Sequence, residues 1–534
     1  MQDSPPFQVK HHLKGRCLIA SRSFTPGDTI LTFTPTILIP SFSHAGTVCS
    51  HCFKPGEPRS CSRCHAVAYC DASCQSAAWK AIHSKECKVL QKVAAQGRPG
   101  LPTPVRAVVQ ALVKADVGAA LEDLEGNDLC WRGSDKWADM EMMAMGASAF
   151  AGLGTTQEAV KKALSLLCKI QTNAFHRYDA DLGQVGIFLE PRLAMANHSC
   201  IPNATVQFVG RRAILRAERP IKADEEIEIS YTDYNYPLSK RKEALAPYFF
   251  TCGCPRCRQD LINYQVCAQS PVVDMNRQGL VSDLSKLREH PAGVDWDKAS
   301  LGREHSEKLV DLIDSKETSG SLEERRAVLQ SWYQKCQGLI SENMWAVSPL
   351  PQLLTEISIL YAEEGNFVYA LATACHIATA CDPYRHVAPF HPVRIKGLFL
   401  VAKLLANTAA DTASLGNSPA VAARGGLNQR ALQALQDIDQ VSLCQMLLIM
   451  VVLKSIPAEY VQEWELSISA KQMLQMLDEI KQLPGRGQEQ SLISLWEEDP
   501  EHDQAQAFFK YAVLKQVDAL SDLGLEMLKM DFGR

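Results

Sequence analysis

Asn197-His198-Ser199-Cys200-Ile201-Pro202-Asn203 is the stretch on which the reading of this chain turns. Taken alone it is a polar turn holding one histidine. Around it lie short runs rich in β-branched and aromatic residues: Gln184–Leu189 before it, then Ala204–Val209, Arg212–Ala217 and Glu226–Tyr231 after it. Runs of this length separated by Gly, Pro or Asp predict strands. The pattern also appears near the start of the chain, where Leu18-Ile19-Ala20 leads through Thr25-Pro26-Gly27-Asp28 to Thr29–Phe33. These pieces predict one small β-rich domain with two insertions. The first is rich in cysteine, the second is helical at about 103–172, and Gly97-Arg98-Pro99-Gly100-Leu101-Pro102 links them.

The cysteine-rich insertion carries Cys49-x2-Cys52, Cys61-x2-Cys64, Cys70-x3-Cys74 and His83-x3-Cys87, eight soft ligands within residues 49–87. That is enough for two tetrahedral zinc sites. So short a segment cannot bury enough apolar surface to fold alone, so metal would supply its folding free energy. Cys74 to Cys87 reads as helix, which sets His83 and Cys87 at i and i+4 on one face. A second group, Cys252-x-Cys254-x2-Cys257, offers three ligands and needs a distant fourth, with an unmetallated loop as the alternative.

The chain has 534 residues and 19 cysteines, with 55 Lys+Arg against 60 Asp+Glu. The cytosol and nucleus keep thiols reduced, so metal explains these cysteines better than disulfides do. The composition is that of a folded globular protein and excludes a disordered or fibrous one. The net charge of −5 argues against wholesale electrostatic binding to nucleic acid. The charge is unevenly placed, however: residues 1–270 carry a net +6 and residues 271–534 a net −11. Residues 49–100 hold eight basic and three acidic side chains, either a solvated face or a contact for phosphates or an acidic tail. The opening residues do not read as a signal peptide. Met446–Leu453, the most apolar run, falls short of the ~18 residues of a membrane span and reads as a buried helix segment. A soluble intracellular protein is expected, in nucleus and cytoplasm.

The spacing of the eight ligands, with Gln75 and Trp79 before His83, resembles the MYND zinc finger. The Asn197–Asn203 motif, followed by Glu226-Ile227-Glu228-Ile229-Ser230-Tyr231 and by Tyr248-Phe249-Phe250 ahead of the cysteine triplet, resembles the SET domain of protein lysine methyltransferases. A finger inserted after the first strands of such a domain is similar to the SET-MYND family. The resemblance covers residues 7–260 by motif and the rest more weakly. It implies an α+β fold: a β-rich SET domain with an inserted MYND finger and a helical insertion, a zinc-bound post-SET segment and an α-helical TPR-like C-terminal domain. The expected limits are 1–48 and 173–236 for the two parts of the SET domain, 49–87 for the finger, 88–172 for linker and helical insertion, 237–267 for the post-SET segment and 268–534 for the helical domain.

The resemblance also implies a role for each matching residue. Cys49, Cys52, Cys70 and Cys74 would hold one zinc, Cys61, Cys64, His83 and Cys87 a second, and Cys200 with Cys252, Cys254 and Cys257 a third. Lys14, Gly15 and Arg16 would meet S-adenosylmethionine at the N-terminal loop, and Glu125 and Asn127 would add contacts from the helical insertion. Asn197 and His198 would hold the adenine and amino-acid ends of the cofactor, in a crossing of segments like a pseudo-knot. Tyr231 would face the methyl group as the main catalytic residue, with Tyr248 as its partner. Asn173 and Phe175 would line the cofactor and lysine side, while Tyr248 and Phe250 would wall the lysine channel, Phe250 also bordering the cofactor. Gln75 and Trp79 would belong to a peptide groove of the finger, although residue type alone leaves Trp79 open between groove and core.

The implied chemistry is an in-line methyl transfer to an uncharged lysine nitrogen. Free lysine has a pKa of about 10.4, and both a dry aromatic channel and a nearby sulfonium disfavour its charged form. Two departures bear on activity. Cys17 stands where the family's cofactor loop has its second glycine, and a Cβ there restricts close approach. Asp224 replaces a turn glycine before the Tyr231 strand, which aspartate tolerates. Cys17 is the feature behind the alternative reading, an adaptor or transcriptional regulator with little or no activity; DNA binding through the finger is a weaker third.

Beyond residue 268 the chain reads as helical and acidic. Ile357, Tyr361, Gly365, Phe367, Ala370, Ala374 and Asp382-Pro383 follow the spacing of one tetratricopeptide-like hairpin, Val393–Leu405 forms another helix, and Ala410–Gly426 reads as a mobile loop. An acidic wall would favour a basic lysine-containing peptide, from a histone tail or another protein. A monomer that binds protein or peptide, with no membrane association, is expected.

Overall fold

In the computed structural model the described residues are 5–12, 15–179, 181, 183–281, 283–313, 320–415, 438–454, 456–477 and 486–533. They divide into two compact units, one of residues 1–231 with 244–252, the other of 232–243 with 253–534.

The first unit opens with strands β1 (Phe7–His12), β2 (Gly15–Ala20), β3 (Thr29–Phe33) and β4 (Ile37–Pro40). The cysteine-rich insertion follows, with a short hairpin of β5 (Arg59–Ser60) and β6 (Ala68–Tyr69) and helices α1 (Ala72–Ala78) and α2 (Ser84–Ala95). Asp71 caps α1, its carboxylate accepting from the Cys74 N–H at 2.7 Å. The helix expected from Cys74 to Cys87 is present but not regular: Trp79–His83 forms a wide π-type turn between α1 and α2. Such turns insert one residue and re-aim the side chains beyond them.

Helices α3 (Thr103–Val113), α4 (Ala115–Ala120), α5 (Asp128–Arg132), α6 (Trp137–Ala151) and α7 (Gln157–Asn173) make the second insertion, as expected for 103–172. Val89, Leu90 and Val93 of α2 recur at helical spacing and share one apolar cluster with Val105, Val108 and Val109 of α3, Ala144 and Ala147 of α6 and Leu167 of α7. Each such valine or leucine contributes about 1.5–3 kcal/mol by leaving water. Val67, Tyr69 and Ala78 of the finger belong to the same cluster, so the finger and the helical insertion share one core.

The chain then returns to the sheets with β7 (Phe175–Tyr178), β8 (Gln184–Leu189), β9 (Asn197–His198), β10 (Ala204–Val209), β11 (Arg212–Ala217) and β12 (Glu226–Ile229). The strand orders are β1-β2-β12-β9, β10-β11-β3 and β4-β8-β7. Every strand read from the sequence is present, and β12 ends at Ile229, two residues short of Tyr231. Leu18, Phe24, Ile30, Phe33, Phe188, Leu215 and Ile227 form the apolar core between these sheets, with Tyr231 and Phe175 packed at its margin.

In the second unit, α8 (Leu350–Glu363) and α9 (Phe367–His376) form the expected hairpin. Asn366 caps α9 by accepting from the Tyr369 N–H at 3.2 Å. α9 is buried from Val368 to His376, the mark of a helix enclosed on all sides. One neighbour is α12 (Lys515–Phe532), whose Gly524 lies against the α9 backbone: a Cβ there would come 2.5 Å from the Ala372 carbonyl oxygen. α10 spans Pro392–Leu415 and α11 spans Gln440–Lys454. Met446–Val451 is buried in α11, as its apolar run predicts. The loop expected at 410–426 is a correction: α10 continues through Leu415, because alanine, read there as low complexity, is the strongest helix former. The remainder, 416–426, lies outside the described residues. No helix among the described residues is long and apolar enough to cross a membrane.

Candidate active site

Three groups of ligand atoms come together, each with its four atoms within 4.8 Å of one another: Cys49, Cys52, Cys70 and Cys74; Cys61, Cys64, His83 and Cys87; and Cys200, Cys252, Cys254 and Cys257. None of the nineteen cysteines forms a disulfide. In a tetrahedral site with Zn–S near 2.3 Å the sulfurs stand about 3.8 Å apart. The observed Sγ–Sγ distances of 3.7 Å for Cys52–Cys70, 3.3 Å for Cys70–Cys74 and 4.0 Å for Cys61–Cys87 fit that spacing. His83 Nε2 lies 3.4 Å from the Cys61 sulfur and 3.7 Å from that of Cys64. The donor sets, four thiols or three thiols and an imidazole, are those of closed structural zinc sites. The interleaved pairing expected in the finger is the one observed. Trp79 is half-buried, its ring centroid 5.8 Å from that of His83 at 73° and the Arg63 guanidinium 5.3 Å from its ring centroid, while Gln75 is exposed.

The motif at 197–203 owes its place to β9, which runs parallel to β12, Asn197 opposite Glu228 and His198 opposite Ile229. This pairing carries Asn197 and His198 to the strand end from which Tyr231 emerges. Asn197 Nδ2 donates to the Arg16 carbonyl at 3.1 Å and to Glu226 Oε1 at 2.8 Å, so the N-terminal loop and the 197–198 crossing are one structure. The Tyr231 N–H donates to His198 Nδ1 at 3.0 Å. The imidazole proton is thereby placed on Nε2, which lies 3.2 Å from the Cys200 sulfur. His198 thus joins the Tyr231 backbone to a metal ligand, a role not visible in its residue type.

Tyr231 donates its hydroxyl to the Ala196 carbonyl at 2.7 Å. Its ring lies 4.8 Å from that of Tyr248, 5.3 Å from His198 and 6.3 Å from Phe250, which stands at 90° to it. Burial, with the Tyr248 phenol and Glu226 adding to it, pushes the Tyr231 pKa well above the ordinary range for a phenol. Burial also raises that of Tyr248, helped by Tyr178. Both phenols are therefore neutral near pH 7. The turn that supplies the other two rings depends on Phe249, which takes the left-handed conformation (φ 58°) and turns its ring onto Trp131 of α5, centroids 5.0 Å apart at 84°. Tyr248 and Phe250 are left on the Tyr231 side. Neither Phe249 nor Trp131 stands out in the sequence; the aromatic triplet was the one available signal.

Of the expected cofactor contacts, Lys14 lies outside the described residues. Gly15 has φ 103°, a conformation that only glycine adopts without strain. Cys17 is an ordinary strand residue opposite Lys10, fully buried, its thiol 3.5 Å from the Lys10 carbonyl and its pKa raised by burial. The left-handed position in this loop is therefore Gly15, and Cys17 meets no conformational demand for glycine. Asp224 does take a left-handed φ of 64°. Glu125, Asn127 and Asn173 form a second group. Asn173 Nδ2 donates to the Glu125 carbonyl at 2.7 Å, and the Asn127 N–H donates to Glu125 Oε1 at 3.2 Å. Phe175 borders the apolar core that also receives Tyr231.

A parallel crossing of two strands beneath an aromatic cluster, reached by a glycine loop, is the architecture of a SET domain, and residues 15–232 match the family model described as "SET domain". The chain is 30% identical to the histone-lysine N-methyltransferase ASHR1 of Arabidopsis thaliana over 46% of its own length and 53% of that protein. It is 31% identical to the "SET domain and MYND-type zinc finger protein 6" of Schizosaccharomyces pombe, over 46% and 50% respectively. With the histone-lysine N-methyltransferase SMYD3 of Homo sapiens the identity is 28%, over 56% of this chain and 72% of that one. The chain thus spans about half the length of the first two relatives. With its eight-ligand zinc module inserted between the strands that match the SET family model, the chain is similar to the SET-MYND proteins.

Proposed function

We propose that this chain is a protein-lysine N-methyltransferase that uses S-adenosylmethionine and acts on lysines of histones or other proteins. The observation that carries the reading is the cluster of Tyr231, Tyr248 and Phe250 at the end of β12, beside Asn197 and His198. S-adenosylmethionine supplies a methyl group already activated on a sulfonium. Gly15, Arg16, Asn197 and His198 would hold it, with Glu125, Asn127 and Asn173 contributing from the helical insertion.

Phe250 is exposed; with a lysine stem lying against it, the aromatic walls would exclude water and so favour the neutral amine needed for attack. The Tyr231 hydroxyl has its proton committed to the Ala196 carbonyl, so its oxygen faces the reacting groups as an acceptor only. An acceptor at a fixed point orients the N–H bonds of the amine and leaves its lone pair directed at the methyl carbon. Tyr248 and Phe250 hold the alkyl stem, and Phe175 closes the inner end. Positioning of this kind can account for ~7–11 kcal/mol of a barrier. Distribution between nucleus and cytoplasm accords with this choice of substrates, and localisation of a tagged full chain tests it.

Calorimetric titration with S-adenosylmethionine should show binding, and a peptide array with labelled cofactor should show methyl transfer. Replacing Tyr231 by Phe removes the acceptor and keeps the ring; transfer should fall by about 10²-fold, as loss of one fixed polar contact to a reacting group does. Unchanged transfer would remove Tyr231 from the mechanism. Absence of cofactor binding would favour the adaptor reading.

A further inference from the structure

Glu86 is 1% exposed, in the first turn of α2, three residues beyond the metal-ligand candidate His83. An isolated carboxylate so buried would be neutral or would destabilise the fold. Glu86 is not isolated. Its Oε1 accepts from Arg106 Nε at 2.7 Å and from Gln110 Nε2 at 2.7 Å; its Oε2 accepts from Arg106 Nη2 at 3.2 Å and lies 3.2 Å from His83 Nδ1. Arg106 and Gln110 belong to α3, one helical turn apart, and are 7% and 4% exposed.

The consequence for His83 is geometric. With Nδ1–H donating to Glu86, the tautomer is set and Nε2 carries the unprotonated lone pair that can ligate a metal, and it is Nε2 that points at the sulfurs of Cys61 and Cys64. Both oxygens of Glu86 are occupied, so the histidine ring is tied through one carboxylate to two residues of another helix. We propose that Glu86 is the positioning residue of the His83 metal site and that, through Arg106 and Gln110, it joins that site to helix α3 of the helical insertion. The finger and the insertion are then linked twice, by the shared apolar cluster and by a charged bond that is complete only when His83 is held in its ligating orientation. The inference goes beyond the proposed methyl transfer and stands without it.

The test uses the full-length, zinc-loaded chain titrated with chelators of increasing affinity, free zinc being read by colour. In Glu86→Gln, one of the three metal equivalents should be lost ~10–100-fold more readily than in the wild type, the other two being unmoved. Gln110→Leu removes one bond and keeps the ion pair; the same equivalent should shift by a smaller factor, with the melting temperature close to that of the wild type. Because Glu86→Gln leaves Arg106 uncompensated and can fail to fold, Gln110→Leu decides the matter in that event. Metal retention at the wild-type level in the folded variants, or a lower melting temperature with no change in metal affinity, overturns the proposal. Hydrogen exchange across Val105–Val113 reads the link in the other direction. Faster exchange on removal of the first equivalent supports it, and unchanged exchange refutes the connection to α3.

Discussion

At the scale of single residues, the substituted glycines separate conformation from chemistry. Cys17 and Asp224 both replace glycines of the family pattern, and only Asp224 occupies a left-handed backbone position, φ 64°. Aspartate accepts that region at small cost, whereas a β-branched residue does not. Replacing Asp224 by Val should therefore lower stability by about 1–2 kcal/mol, and replacing it by Gly should change it by less than about 1 kcal/mol, both read from thermal or denaturant unfolding. The exposed pair between Asp224 and Lys10, at 3.6 Å, adds little to either outcome. Cys17 was legible as a departure, but the strand backbone it keeps was not, since nothing local reveals that Gly15, among the described residues of the loop, carries the unusual dihedral. His198 illustrates the same limit: the resemblance implied a contact with the cofactor, and the contacts of its ring nitrogens with the Tyr231 backbone and the Cys200 sulfur were not legible beside it.

At the scale of elements, the turn from Ala246 to Cys252 shows how the proposed lysine-channel wall is anchored. It is held at one end by Phe249 against Trp131 and at the other by Cys252 in the third metal group, two residues beyond Phe250. Cys252→Ser should reduce the metal content by one equivalent per chain, measured by elemental analysis, and should depress methyl transfer because Tyr248 and Phe250 lose their fixed end. Full activity at reduced metal content would show that the Trp131 contact suffices. The strands and helices of this region were legible because alternation and helical spacing are local signals. The π-type turn at Trp79–His83 was not, because its five residues carry no spacing signal that sets it apart from the regular helix on either side. The end of α10 was misread for the converse reason, its alanines being taken as filler when they are strong helix formers.

At the scale of the whole molecule, charge is the property that length and composition made visible. The −11 carried by residues 271–534 against +6 for the rest favours encounter with basic peptides. The KM for a lysine-rich peptide should accordingly rise several-fold between low salt and about 0.3 M, where the screening length falls below 10 Å; a KM indifferent to salt would remove that electrostatic contribution. The sequence by itself determined the metal chemistry and the order of the parts. Eight ligands in four closely spaced pairs limit their partners to a few arrangements, and motifs at 197–203, 226–231 and 248–257 name the segments that matter. Tertiary structure alone decided which of those segments touch. It laid Asn197 and His198 alongside Glu228 and Ile229, brought Arg16 to Asn197 across the length of the domain, and set Glu86 between His83 and Arg106. Spacing along a chain reports on neighbours within a turn or a strand. Contacts between distant segments depend on which buried surfaces and charges can satisfy one another, and that is decided only when the core closes.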